Sequence, residues 1–84
     1  MTKLAQTEFL HIRSEVDETG QEFRRLRVVR WLKHPRQLEV RMFWTDRHGC
    51  HRIGKSGGLN LEEFKAALAR QDEILAALEG GESE

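Results

Sequence analysis

The run FRRLRVVRWLKHPRQLEVRMFWTDRHGCHRIGK, Phe23–Lys55, decides how this chain folds. Its apolar and charged residues alternate, the period of strands that lay one face on a core. Between Glu22 and Leu32, the side chains of Leu26, Val28 and Leu32 fall on one side. Arg25, Arg27, Val29 and Trp31 fall on the other. A row of arginines with one tryptophan is no core face, so that side is expected to be wet or ligand-bound. Between Gln37 and Trp44, the residues Leu38, Val40, Met42 and Trp44 share a side opposite Glu39, Arg41 and Phe43. The segment Lys33-His34-Pro35-Arg36 separates the two strands as a turn, where a proline without an N–H is tolerated. Thr45 to Gly49 reads as a hairpin loop and Cys50 to Ile53 as a short fourth strand, broken by Lys55-Ser56-Gly57-Gly58.

Outward from this centre, Glu8 to Val16 alternates with Leu10 and Ile12 on one side and Phe9, His11 and Arg13 on the other. Asp17-Glu18-Thr19-Gly20 then turns that strand into the next. On the C-terminal side, Asn60 is a good N-cap and Glu63 completes a capping box. Leu61, Phe64, Leu68, Leu75 and Leu78 recur at helical spacing. Leu61, Phe64 and Leu68 are expected to pack on the sheet, and Leu75 and Leu78 on a second chain. Gly80-Gly81 ends the helix. The expected fold is α+β: a four-stranded antiparallel sheet followed by one C-terminal helix (ββββα). It forms a single domain over 1–84, with an arm at 1–7, the sheet at 8–55, the helix at 60–79 and a tail at 80–84. A chain of 84 residues has a thin core, and a homodimer would bury what one copy leaves exposed.

Charge is distributed unevenly. The central run holds ten of the fourteen Lys and Arg residues against Glu39 and Asp46, a formal +8, together with both tryptophans. Residues 1–22 carry −3 and residues 56–84 carry −5, so the neutral total hides a basic centre between acidic ends. Cations interleaved with aromatics suit a nucleic-acid strand, the cations on phosphates and the rings on bases. The competing reading is a solvated sheet face whose tryptophans are core. The single cysteine, Cys50, excludes an intramolecular disulfide. It fits a reducing compartment, cytoplasmic or, in a cell with a nucleus, nuclear. The N-terminal residues show no signal peptide or membrane span.

Three constellations bear on chemistry. Gly49–Ser56, GCHRIGKS, matches the phosphate-loop pattern, but such a loop follows a buried strand and runs straight into a helix. Here two more glycines intervene before the helix, and the preceding strand is amphipathic. His48, Cys50 and His51 are too few and too crowded for a zinc site, which needs about four ligands. Asp46 and Glu39 read as ion-pair partners among cations, not as a catalytic pair. No enzyme, cofactor or metal is expected.

The run LEVRMFWTDRHG, followed by GKSGGLNLEEF, resembles the single-stranded DNA-binding transcriptional coactivators of the positive cofactor four family and their small bacterial relatives. The matching elements are Leu38-Glu39-Val40-Arg41, Phe43-Trp44, Gly49, Gly54-Lys55, Leu59 and Glu62-Glu63-Phe64, in order within about residues 22–78. The resemblance implies a homodimer whose curved sheets bind single-stranded DNA and whose helices help join the protomers. It places ligand contacts at Trp31, Arg41, Trp44 and Lys55. Strand alternation adds Arg25 and Arg27. For Trp44 the two sources differ, since alternation turns it inward. The sequence departs from the family at Ser56-Gly57-Gly58-Leu59, which lacks an apolar anchor and leaves the position of Lys55 open. Its longer first hairpin makes a bacterial or phage relative the better match, and a nucleoid association would follow if the source is bacterial. Single-stranded DNA is the expected partner, and RNA offers the same phosphates and rings. The rival expectation is an adaptor whose basic sheet docks an acidic protein.

Overall fold

The computed structural model describes residues 6–80. Four strands, β1 (Gln6–Val16), β2 (Glu22–Trp31), β3 (Gln37–Thr45) and β4 (His51–Gly57), form an open antiparallel sheet in the order β1-β2-β3-β4. Two helices follow, α1 (Leu61–Ala69) and α2 (Gln71–Glu79). The expected α+β class and antiparallel sheet are observed. Of the expected arm and tail, residues 1–5 and 81–84 lie outside the described residues. Gln6 and Thr7 belong to β1, and Gly80 caps α2. No helix among the described residues is long and apolar enough to cross a membrane.

The even-numbered residues of β2 supply the core. Leu26 and Val28, with Val40 of β3, are fully buried against Ala67 and Ile74 from the helices. Two bulges in β1 adjust the alternation read from sequence. The register skips Phe9 and Ile12, and an extra residue at each point re-aims the side chains beyond it. Phe9, Leu10 and Ile12 therefore all reach the core cluster. Glu8, His11 and Ser14 pair instead with Val29, Arg27 and Arg25 on the opposite face.

Three expectations are corrected. The single helix over 60–79 is two helices meeting at Arg70, whose backbone (φ −122°, ψ 31°) leaves the helical region. The Arg70 guanidinium donates to the His11 carbonyl at 2.9 Å and to Glu73 at 2.7 Å, which fastens the joint to β1. The bend brings both Ala67 and Ile74 onto the core. Strand β4 is longer than expected and runs through Gly54, Lys55 and Ser56 to Gly57. The Gly-Lys-Ser pattern is therefore extended edge strand and not a phosphate loop.

The third correction concerns the helix face. Leu61, Phe64, Leu68 and Leu75 are all more than half exposed, while Glu63, Ala67 and Ile74 face the sheet. Leu78, expected at a second chain, packs with Ala77 against the chain's own core. The cause is Arg24, on the core side of β2. It donates to Glu63 at 2.8 Å from Nη2, with a second contact of 2.5 Å from Nε. Burying that pair fixes the rotation of α1 and turns its large apolar side chains outward. The expected capping box is present: the Glu63 N–H donates to Asn60 and the Asn60 N–H to Glu63, each at 2.9 Å.

Candidate nucleic-acid interface

The odd-numbered residues of β2 and β3 lie on the sheet face turned away from the helices, and here the register joins most of the expected site. Arg25 pairs with Arg41 across the strands, and Arg27 with Glu39. The Glu39 carboxylate is the hub. It accepts from Arg27 at 3.0 Å, from Arg41 at 2.9 Å and from the Trp31 indole N–H at 3.2 Å. The guanidinium of Arg41 lies 4.8 Å from the Trp31 ring centroid, and that of Arg27 lies 5.6 Å from Trp31 and 5.8 Å from Phe43. Cations over aromatic faces are held by the ring quadrupole. Burial alone would raise the Glu39 carboxyl, but the bonds from Arg41, Arg27 and Trp31 outweigh it and hold it below the ordinary range.

A second carboxylate reaches the same arginines from β1. Glu8 accepts from Arg25 at 2.8 Å and from Arg27 at 3.3 Å. The Arg25 bond is the main reason its pKa is lowered. Glu22 accepts from Arg25 at 2.8 Å and from the Ser14 hydroxyl. The result is a lattice of Arg25, Arg27, Arg41, Trp31 and three glutamates. Arg27 and Glu39 are only 4% and 5% exposed, so the middle of the row expected to be wet is dry. Val29 is buried without joining the helix-side cluster, which gives this face its own apolar floor.

Trp44 and Lys55 stand apart from the lattice. Trp44 pairs with Arg52 of β4, on the helix side of the sheet as alternation requires. Neither helix covers it, and it is 54% exposed. It lies five residues along β3 from Glu39, about 16 Å at the rise of an extended strand. Lys55 is exposed on β4, where the register skips between Arg41 and Phe43 and two β4 residues oppose one of β3. Gly54 permits that bulge: a Cβ there would stand 3.1 Å from the Met42 carbonyl oxygen. The Gly54 carbonyl in turn accepts from Arg41 at 3.1 Å.

The expected ion-pair roles of Glu39 and Asp46 are both seen. Asp46 accepts from Arg52 at 2.9 Å and from the backbone N–H groups of His48 and Cys50, closing the β3–β4 hairpin. Sequence reasoning missed Glu8, Glu22 and Phe43. Nothing in the local pattern marks Glu8 as a partner of Arg25, because two bulges intervene between the strand period and the register. Comparison with family models, curated proteins and solved structures gives no match for this chain.

Proposed function

We propose that the chain is a single-stranded DNA-binding protein that works as a homodimer in transcription, replication or repair, akin to the family its sequence resembles. The observation that carries this reading is the uncovered sheet face, where Arg27 and Arg41 lie over the Trp31 ring, Arg27 over Phe43, and Arg25 pairs beside Arg41. A guanidinium has five N–H donors, so an arginine paired with a carboxylate keeps donors for a phosphate. Arg25 and Arg41, each part-exposed, take the phosphates. Arg27, enclosed by Glu8, Glu39 and the rings, props them from below. Trp31 and Trp44 are stacking surfaces near opposite ends of the sheet, and Lys55 adds a cation on the β4 edge.

The outward face of the helices supports the dimer. Leu61, Phe64, Leu68 and Leu75 form a half-exposed apolar stripe, large for a chain of this size to leave in water. A second copy is its proposed cover.

The test is a titration of matched single-stranded DNA, duplex DNA and RNA over a range of salt, following tryptophan fluorescence. The reading requires preference for single strands and a steep fall of affinity with salt. Trp31→Ala should weaken binding about ten- to a hundredfold for all sequences, the scale of one lost base stack. Trp31→Phe, which keeps a ring and loses the bond to Glu39, should bind better than Trp31→Ala. Lys55→Ala should make the salt dependence shallower by about 0.7 log units per log unit of salt, one single-strand phosphate. Weak binding of all three nucleic acids at low salt, with tight binding of an acidic protein, would replace this reading with the adaptor.

A further inference from the structure

The end of the sheet beyond the lattice holds a concavity of about 420 Å³. Small-molecule sites run from roughly 300 to 1,000 Å³, so it has room for a purine. Its lining residues include three aromatics, Phe23, Phe43 and Trp44, together with Asp17, Gln21 and Glu22. Phe23 and Trp44 are both exposed. Aromatic residues at a hollow offer flat apolar faces, and the charged residues of this lining, Asp17 and Glu22, are both carboxylates.

The bonding of those carboxylates is one-sided. Asp17 accepts from the Thr19 N–H at 2.8 Å, the Thr19 hydroxyl at 2.6 Å and the Gln21 N–H at 3.0 Å, all on Oδ1. Glu22 accepts from Ser14 and Arg25, both on Oε2. Asp17 Oδ2 and Glu22 Oε1 receive none of these bonds. The Thr19 hydroxyl is the main reason the Asp17 carboxyl is held below its ordinary range. For Glu22, burial pushes upward and the bonds from Ser14 and Arg25 more than offset it. Both groups are ionised at neutral pH and accept only. The hollow therefore suits a flat ring whose edge carries adjacent N–H donors, and it repels a phosphate.

It is also continuous with the arginine lattice. Phe43 lines the hollow and lies beneath Arg27, and Glu22 lines it and holds Arg25. A strand with a phosphate at Arg25 can turn one base into this space. Guanine's Watson–Crick edge carries an N1–H beside an N2 amino group, two adjacent donors for carboxylate oxygens. Adenine and cytosine set an acceptor beside their amino group, and thymine flanks its single N–H with two carbonyls. Unstacked bases read on this edge and stacked on aromatic side chains are how sequence is recognised in single-stranded RNA.

We propose that this hollow is a guanine-reading subsite, in which the base stacks at the aromatic lining and Asp17 and Glu22 accept from its N1–H and N2 amino group. The proposal rests on the single-strand reading above. It makes the protein selective at one position of an otherwise sequence-tolerant strand.

Oligothymidines of equal length with a central dT, dG, dA, dC or deoxyinosine test it, by anisotropy on the full chain. The dG strand should bind about tenfold or more tighter than the dT strand, the lower range of a good bidentate base contact. Deoxyinosine, which lacks the N2 amino group, should fall between them. Asp17→Asn keeps Oδ1 for the turn and converts Oδ2 into a donor. It and Glu22→Gln should each reduce the dG-to-dT ratio toward one, with thermal melting verifying the fold. Equal binding of all five strands would overturn the subsite and leave the single-strand reading standing. Binding of none would overturn both. Protection of the Trp44 signal by a trimethyl-lysine peptide, with no base preference, would overturn it by assigning the hollow to a cation.

Discussion

Glu63→Ala tests whether one buried ion pair sets the rotation of α1. Glu63 is 1% exposed, accepts two charged hydrogen bonds from Arg24 and closes the capping box with Asn60. Removing one partner of a fully buried pair costs roughly 3–5 kcal/mol. Arg24 is partly exposed and keeps the Gly58 carbonyl as an acceptor at 2.9 Å. The orphan charge is therefore only partly stranded, and about 3 kcal/mol is expected, cap bond included. A domain of this length has roughly 4–13 kcal/mol in all. The melting temperature should fall by about 12–24 °C, at 4–8 °C per kcal/mol. Glu63→Gln preserves the capping acceptor and loses the charge, and should cost about half as much. Urea denaturation of Arg24→Met, Glu63→Gln and the double variant gives the coupling directly. A loss below about 1 kcal/mol for Glu63→Ala, or coupling within the roughly 0.5 kcal/mol expected of independent sites, would refute the reasoning. Some other contact would then hold α1 in place.

The lowered carboxylates Glu8, Glu39 and Glu63 contribute stability that is present above their unfolded pKa of about 4.3 and lost as pH falls through their lower folded values. The melting temperature should thus be level from pH 7 to 5 and drop below about pH 4.5, and a flat profile down to pH 3 would contradict it. Glu8→Gln, which releases Arg25 and Arg27 from one carboxylate, should tighten single-strand binding several-fold. It should also steepen the salt dependence by about 0.7 log units per log unit of salt; an unchanged slope would show that Glu8 does not compete with phosphate. Phe64→Ser with Leu68→Ser should leave the fold intact, because both side chains point outward, and should abolish association in sedimentation. A dimer that survives both changes would move the interface elsewhere.

Strand alternation located β2 and β3 because the middle of each keeps one face on the core. Leu26, Val28 and Val40 are fully buried where the period puts them. It misjudged β1, since a bulge at Phe9 and another at Ile12 reset the period twice within a strand. The helix was legible as a helix but not in its rotation. Hydrophobicity alone selects Leu61, Phe64 and Leu68 as the inner face, and a period cannot register that Arg24 requires a partner there. Trp44 shows the converse. Alternation assigned the correct side of the sheet, but that side is covered only where α1 and α2 reach, and a sequence does not state how far a helix extends over a strand.

The electrostatics follow from the same folding. Along the chain, a segment of +8 lies between acidic ends, as though the sheet were a bare cationic plate. In space, the acidic ends fold onto it. Glu8 and Glu22 arrive from the N-terminal segment to hold Arg25, Glu63 arrives from the C-terminal segment to hold Arg24, and Glu39 neutralises the centre. The positive field therefore weakens at the middle of β2 and persists on the β3–β4 side, where Arg47, Arg52 and Lys55 are exposed, with Asp46 beside Arg52. On the proposed single-strand reading, a polyanion is drawn first to that edge. A phosphate then meets Arg25 and Arg41 already paired with carboxylates, and so gains little per contact. The proposed function thus assigns long-range attraction and close docking to different residues. Substitutions at Lys55 or Arg52 should act chiefly on the rate of association and its salt dependence. Those at Trp31 or Arg41 should act on dissociation, where the stack and the paired guanidinium have to come apart.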